Sequence, residues 1–145
     1  AITRAEFVTI LVKAFKLENK DSKLFADSAS HWAKDYLACA AASGIVTGYD
    51  SDTFGPDDMI TREQMAVMIS KATRLPAVSE EIQFSDSDSI SNWARSAIAV
   101  ASLHGIMRGY PDNSIKPQGN ATRAEAVTVI VNALKEVIVV EKTAS

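Results

Sequence analysis

Three short stretches of this 145-residue chain spell nearly the same thing, and that repetition limits the fold more than any other feature. They are Ile2-Thr3-Arg4-Ala5-Glu6, Ile60-Thr61-Arg62-Glu63-Gln64 and Ala121-Thr122-Arg123-Ala124-Glu125, with threonines 58 and then 61 residues apart. A second pattern occurs twice: Phe25-Ala26-Asp27 runs to His31-Trp32-Ala33, and Phe84-Ser85-Asp86 runs to Asn92-Trp93-Ala94. So does a third. Gly44-Ile45-Val46-Thr47-Gly48-Tyr49 leads to Phe54-Gly55-Pro56, and Gly105-Ile106-Met107-Arg108-Gly109-Tyr110 leads to Ile115-Lys116-Pro117. A period of about 60 residues means one small unit used repeatedly, each burying its apolar face against a neighbour. Phe25 to Phe84 is 59 residues and Trp32 to Trp93 is 61, so the later copy holds a two-residue insertion between Asp86 and Trp93. The expected division is residues 1–18 as the last helix of a truncated first repeat, 19–76 as a second repeat and 77–145 as a third repeat with a tail. Pro76 marks the linker, and a helix start directly after residue 1 suits a fragment or a processed product.

Within a repeat the pattern reads loop, helix, loop, helix. The first helix is expected to begin near His31 or Asn92. Leu37, Ala40 and Ala41 then follow Trp32 at helical spacing, as Ile98, Ala101 and Ser102 follow Trp93. Small residues on that face let another helix approach closely. Gly44 and Gly105 stand where a helix end takes a left-handed residue. The second helix is expected to start at each threonine. Phe7, Ile10, Leu11 and Ala14 recur as Met65, Met68, Ile69 and Ala72, and again as Ala126, Val129, Ile130 and Ala133. Each set is an apolar stripe at i, i+3, i+4, i+7. The β-branched tail either extends the last helix or frays. The fold class is all-α, built from tandem helix–loop–helix repeats.

Composition excludes several classes. Fifteen basic against eighteen acidic residues leave a net charge of −3, without the basic face of a dedicated nucleic-acid binder. The apolar fraction of 47% and charged fraction of 23% are those of a globular chain. Cys39 is the only cysteine, so the chain has no internal disulfide, and it reads as a small buried hydrophobe. The longest late apolar run, Val137-Ile138-Val139-Val140, falls far short of a membrane span, and no signal peptide opens the chain. Asp50-Ser51-Asp52-Thr53-Phe54-Gly55 begins like a calcium loop but has Phe54 and Thr61 where ligands are required, so a polar turn is expected. His31 and His104 occupy different repeat positions and form no metal set with Cys39. No nucleophile elbow or phosphate loop is present, and no metal or other cofactor is implied.

The threonine motif has a local explanation. Thr3 with Glu6, Thr61 with Gln64, and Thr122 with Glu125 fit a capping box, in which each residue satisfies the other's backbone amide. That accounts for the threonine and the acid or amide, not for the arginine. Arg4, Arg62 and Arg123 all fall at the first helical position, where a cation faces the positive end of the dipole. One reading is an anion site made of free helix amides and a guanidinium, suited to a carboxylate or phosphate. The other is a salt bridge to Asp27, Asp86 or another acidic loop residue. Trp32 and Trp93 are either core residues or flat platforms for a sugar ring. Gly48 and Gly109 either shape a turn or let a ligand approach the backbone.

Taken together, these ordered motifs make the chain similar to the S-layer homology family over nearly all of residues 1–136. The resemblance implies a pseudo-threefold, three-pronged assembly of repeats that anchors bacterial surface proteins non-covalently to the cell wall. It implies an extracellular location and an acidic ligand, a secondary cell-wall polysaccharide bearing ketal-linked pyruvate, held in grooves between repeats. Carried over, Arg4, Arg62 and Arg123 would read the pyruvate carboxylate. Trp32, Trp93, Gly48 and Gly109, with Asp27 and Asp86, would complete the glycan site. Glu63 replaces the motif alanine, and an extra carboxylate beside Arg62 would weaken anion binding. The first repeat lacks its initial helix, its tryptophan and its Gly-Tyr loop, which favours the groove bordered by Arg62 and Arg123 and leaves a surface for self-association. No catalysis, no nucleic acid and no membrane insertion is expected. The alternatives are an assembly module making protein–protein contacts through salt-bridged arginines, and an outer-membrane anchor for peptidoglycan.

Overall fold

A computed structural model describes residues 1–18, 24–81 and 83–144, with side chains to Val139. The boundary expected at 18/19 therefore abuts residues outside the described set. Five α-helices occur among the described residues: α1 (Arg4–Ala14), α2 (Lys34–Ala42), α3 (Arg62–Thr73), α4 (Arg95–Leu103) and α5 (Arg123–Ala144). Short 3-10 turns cover Ala26–Ser28, Ser87–Ser89 and Asn92–Ala94. Among the described residues the extended contacts are two isolated antiparallel bridges, Thr3 with Met59 and Thr61 with Asn120. The fold is all-α.

The chain packs as two compact units, Ala1–Ile60 and Thr61–Ser145. The first holds α1 against α2, and the second holds α3 against both α4 and α5. Each core follows the repeated apolar positions. Phe7, Leu11, Leu37 and Phe54 are buried in the first unit. Met65, Ile69, Ile98, Ile115 and Ile130 are buried in the second. In α1 the buried stripe is rotated from the expected one: Phe7, Val8, Leu11 and Val12 are buried, while Ile10 and Ala14 are half-covered.

The helix ends form as the sequence dictates. Thr3 Oγ1 accepts the Glu6 amide at 3.1 Å while Glu6 Oε1 accepts the Thr3 amide at 3.0 Å. Thr61 with Gln64 and Thr122 with Glu125 repeat this reciprocal cap. Gly44 and Gly105 have φ of 77° and 68°. Behind them the Ile45 amide donates to the Ala40 carbonyl and the Ile106 amide to the Ala101 carbonyl, so both glycines close a Schellman motif.

Two expectations are corrected. The first helices begin at Lys34 and Arg95, three residues beyond His31 and Asn92. Those residues instead shape the entry: His31 Nδ1 accepts the Ala33 amide at 3.1 Å, and Asn92 Oδ1 accepts Arg95 Nε at 3.2 Å. Cys39 is half-buried, with its thiol 3.5 Å from the Leu17 carbonyl, because it lies at the edge of the α2 face and not under it. Of the two readings left open for the tail, the extended helix is the one observed, as α5 runs to Ala144.

Candidate functional site

Two of the motif arginines, Arg4 and Arg62, are drawn into the loop that precedes the next motif helix. In the first unit Arg4 is buried, its Nε donates to the Phe54 carbonyl at 3.0 Å, and its guanidinium carbon lies 4.5 Å from both the Tyr49 and Phe54 ring centres. In the second unit Arg62 is 3% exposed. Its Nε donates to the Ile115 carbonyl at 2.7 Å, its Nη2 donates to the Arg108 carbonyl at 3.0 Å, and its Nη1 pairs with Glu125. The guanidinium sits 4.5 Å over the Tyr110 ring. Burial lowers the pKa of Arg4 from its ordinary value, against the pull of Tyr49 and Asp58, yet an arginine stays charged at neutral pH. Arg123 is exposed at the head of α5.

The anion site of free helix amides does not form at α1 or α3. The Arg4 and Ala5 amides donate to the Asp58 and Pro56 carbonyls, at 2.8 and 2.9 Å. The Arg62 and Glu63 amides donate to the Gly119 and Pro117 carbonyls, both at 2.9 Å. The third amide goes to the capping threonine in each case. A helix start pressed against a proline-containing loop satisfies its own donors, so none is left for an anion.

Asp27 and Asp86 brace loops instead of pairing with arginine. Asp27 accepts the Phe54 amide at 3.1 Å and the Gly55 amide at 2.9 Å. Asp86 accepts the Ile115 and Lys116 amides, both at 2.9 Å. The acidic partner of Arg62 is Glu125, from the following threonine motif. Glu125 has three duties: Oε1 accepts the Thr122 amide, while Oε2 meets Arg62 and accepts the Tyr110 hydroxyl at 3.0 Å. Partial burial works against its charge, but the Thr122 amide and the Arg62 guanidinium hold its carboxyl below the ordinary range. Burial and the bond to Glu125 push the Tyr110 hydroxyl up. Glu63 does not sit beside Arg62. Its buried carboxylate accepts the Ser91 amide at 3.0 Å, the Ser91 hydroxyl at 2.8 Å and Gln118 Nε2 at 3.3 Å.

The glycines serve turn geometry. Gly48 has φ of 75°, and a Cβ there would lie 2.6 Å from Phe25 Cε1. A Cβ on Gly109 would lie 2.8 Å from Phe84 Cε1. The close approach is thus made by the phenylalanine of the Phe-x-Asp motif. The expected calcium-like stretch is a polar turn, with Asp50 Oδ1 accepting the Asp52 and Thr53 amides. Trp32 and Trp93 are 62% and 60% exposed, so each unit presents an indole to solvent.

The second unit also holds a cleft of ≈ 450 Å³ between the Ile106–Arg108 segment and the first turns of α5. Arg62 and Glu125 form its wall; Thr128 and Asn132 add polar groups, and Ile106 and Val129 apolar ones. Arg108 lines it and is exposed, a residue that motif reading passed over because its place is taken by Thr47 in the earlier copy. No helix among the described residues is long and apolar enough to cross a membrane.

The sequence pattern of the S-layer homology domain matches residues 24–66 and 83–127. An amylopullulanase of Thermoanaerobacterium thermosulfurigenes is 36% identical over 142 residues, covering 93% of this chain and 8% of that protein. A surface layer protein of Brevibacillus choshinensis is 35% identical over 130 residues, covering 88% of this chain and 11% of that protein. A cellulosome-anchoring protein of Acetivibrio thermocellus is 31% identical over 143 residues, covering 92% of this chain and 32% of that protein. The chain thus spans a minor part of each of these relatives.

Proposed function

The chain belongs to the S-layer homology domain family, and from that premise we propose that it is a non-catalytic module anchoring a surface protein to the bacterial cell wall. The support is the company such a segment keeps. Similar stretches occupy minor shares of an amylopullulanase, a surface layer protein and a cellulosome-anchoring protein; the names share no chemistry, and those of the last two speak of a surface layer and of anchoring. A portable segment that accompanies unrelated chemistries is suited to attachment.

The finer reading is that the ligand is an acidic, pyruvylated wall polysaccharide. The observation that carries it is the cleft beside Arg62, whose lining includes two arginines, Arg62 and Arg108, and one acidic residue, Glu125. The exposed indoles of Trp32 and Trp93 offer the flat apolar faces that sugar rings stack on. A second reading, assembly through protein contacts, draws on the ion-paired state of Arg62 and on the exposed Val127, Val131 and Ile138 of α5. Calorimetric titration with purified wall polysaccharide, before and after mild-acid removal of pyruvate ketals, separates them. Binding that vanishes with the ketal supports the acidic-glycan reading. Binding that survives shifts recognition to a neutral sugar face, and no binding favours assembly.

A further inference from the structure

The three motif helices do not end alike. α1 and α3 stop at one register position: Lys16 and Arg74, equivalent when the motif threonines are aligned, turn left-handed with φ of 53° and 55°. Leu75 and Pro76 follow Arg74, and a proline opposes continuation of the helix. Lys135 holds the same place in the third motif helix, yet α5 runs on to Ala144. Local preference does not drive this extension, because Val137-Ile138-Val139-Val140 is a β-branched run and a poor helix former. Apolar burial does little for it either. Beyond the buried Ala133, Ile138 and Val139 are 51% and 52% exposed. The extension is held by a pair peculiar to the third repeat. His104, the C-cap of α4, stands where the earlier copy has Ser43, and Glu136 stands where α3 is followed by Leu75. His104 Nδ1 donates to Glu136 Oε1 at 2.8 Å, and both side chains are largely buried. A hydrogen bond to a carboxylate that is shielded from water is stronger than one at the surface. One turn earlier, on the same face of α5, Asn132 Nδ2 donates to the Ile106 carbonyl at 3.3 Å, just past the end of α4.

We infer that His104 and Glu136 form a clasp that selects between two lengths of α5. Clasped, the helix carries residues 136–144, about 14 Å, past the point where α1 and α3 stop. Unclasped, it ends near Lys135 as they do, and the β-branched run takes the extended backbone that such residues favour. The clasp thereby sets the course of residues 136–144 from the second unit.

The test is hydrogen exchange on the full chain, reading the backbone amides of residues 138–142 against those of α3. Glu136→Ala is the sharper variant, because alanine is the better helix former and would slow exchange if propensity were in control. It should instead speed exchange at 138–142 about tenfold, the loss expected for one charge-assisted hydrogen bond, with α3 unchanged. His104→Ser, which installs the residue of the earlier copy, should do the same. The double variant should lose no more than either single one, because both remove one interaction. Unchanged or slower exchange in Glu136→Ala would overturn the clasp, as would additive losses in the double variant. An equal loss of protection in α3 would overturn the two-length reading, since the pair would then hold the whole unit together.

Discussion

Arg62 shows how one side chain can satisfy two incompatible readings of the same motif. A guanidinium at the first position of a helix suggests a ligand when only the sequence is in view. In the fold it is a strut, with a partly buried ion pair to Glu125 and two carbonyls held from loop residues. Removing one partner of such a pair leaves the other uncompensated, so Arg62→Ala should cost about 3 kcal/mol in urea unfolding. A midpoint that does not move would return Arg62 to the ligand. Asp27 carries a second residue-scale prediction. Slight burial opposes its charge, but the Gly55 and Phe54 amides and the Ser28 hydroxyl hold its carboxyl below the ordinary 3.8. A group whose folded pKa is depressed stabilises above the unfolded value, and that stability is lost as pH falls through the folded one. Asp27→Asn should therefore melt lower than the wild type at pH 7, with the gap closing as pH drops below about 4. A gap that stays constant down to pH 3 would show that its hydrogen bonds do not need the charge.

At the scale of elements, the caps and C-termini were legible because their causes are local. A threonine three residues ahead of Glu or Gln makes the same box wherever it stands, and a glycine after an apolar run closes the same Schellman turn. The two glycine types should nevertheless respond differently. A Cβ on Gly105 would meet nothing within 4 Å, so Gly105→Ala should cost only its left-handed backbone, about 1 kcal/mol. Gly109→Ala should cost more, because its Cβ would stand 2.8 Å from Phe84 Cε1 and 2.9 Å from the Ser114 carbonyl. Equal losses in thermal melting would mean that the Phe84 ring gives way. The junction between motif helix and loop was not legible, because each copy solves it with different residues. The first unit pairs His31 Nε2 with Asp57 at 2.8 Å. The second buries Glu63 against Ser91 and Gln118, using the stretch that carries the insertion. A carboxylate that looked like a disturbance beside Arg62 is the local hub of that arrangement.

For the whole molecule, the anchoring function predicts a dependence on copy number that no single contact gives. If each chain holds the wall through modest glycan contacts, a tandem fusion of two copies should stay on purified sacculi about a hundredfold longer than one copy. Equal retention would mean that one site accounts for all the binding. The sequence by itself determined the all-α class, the capped starts of the threonine-motif helices, the glycine-closed ends of α2 and α4, and the family, because period, capping and turn chemistry act over a few residues. It also singled out Trp32 and Trp93, while leaving core and platform both open. Only the tertiary structure decided where each motif arginine goes, that helix amides at α1 and α3 are spent on loop carbonyls, and that Arg108 stands at the rim of a cleft. The reason is physical: a repeat states which face of a helix must be covered and which charges must be matched. The partner that covers or matches them is fixed only when distant segments pack.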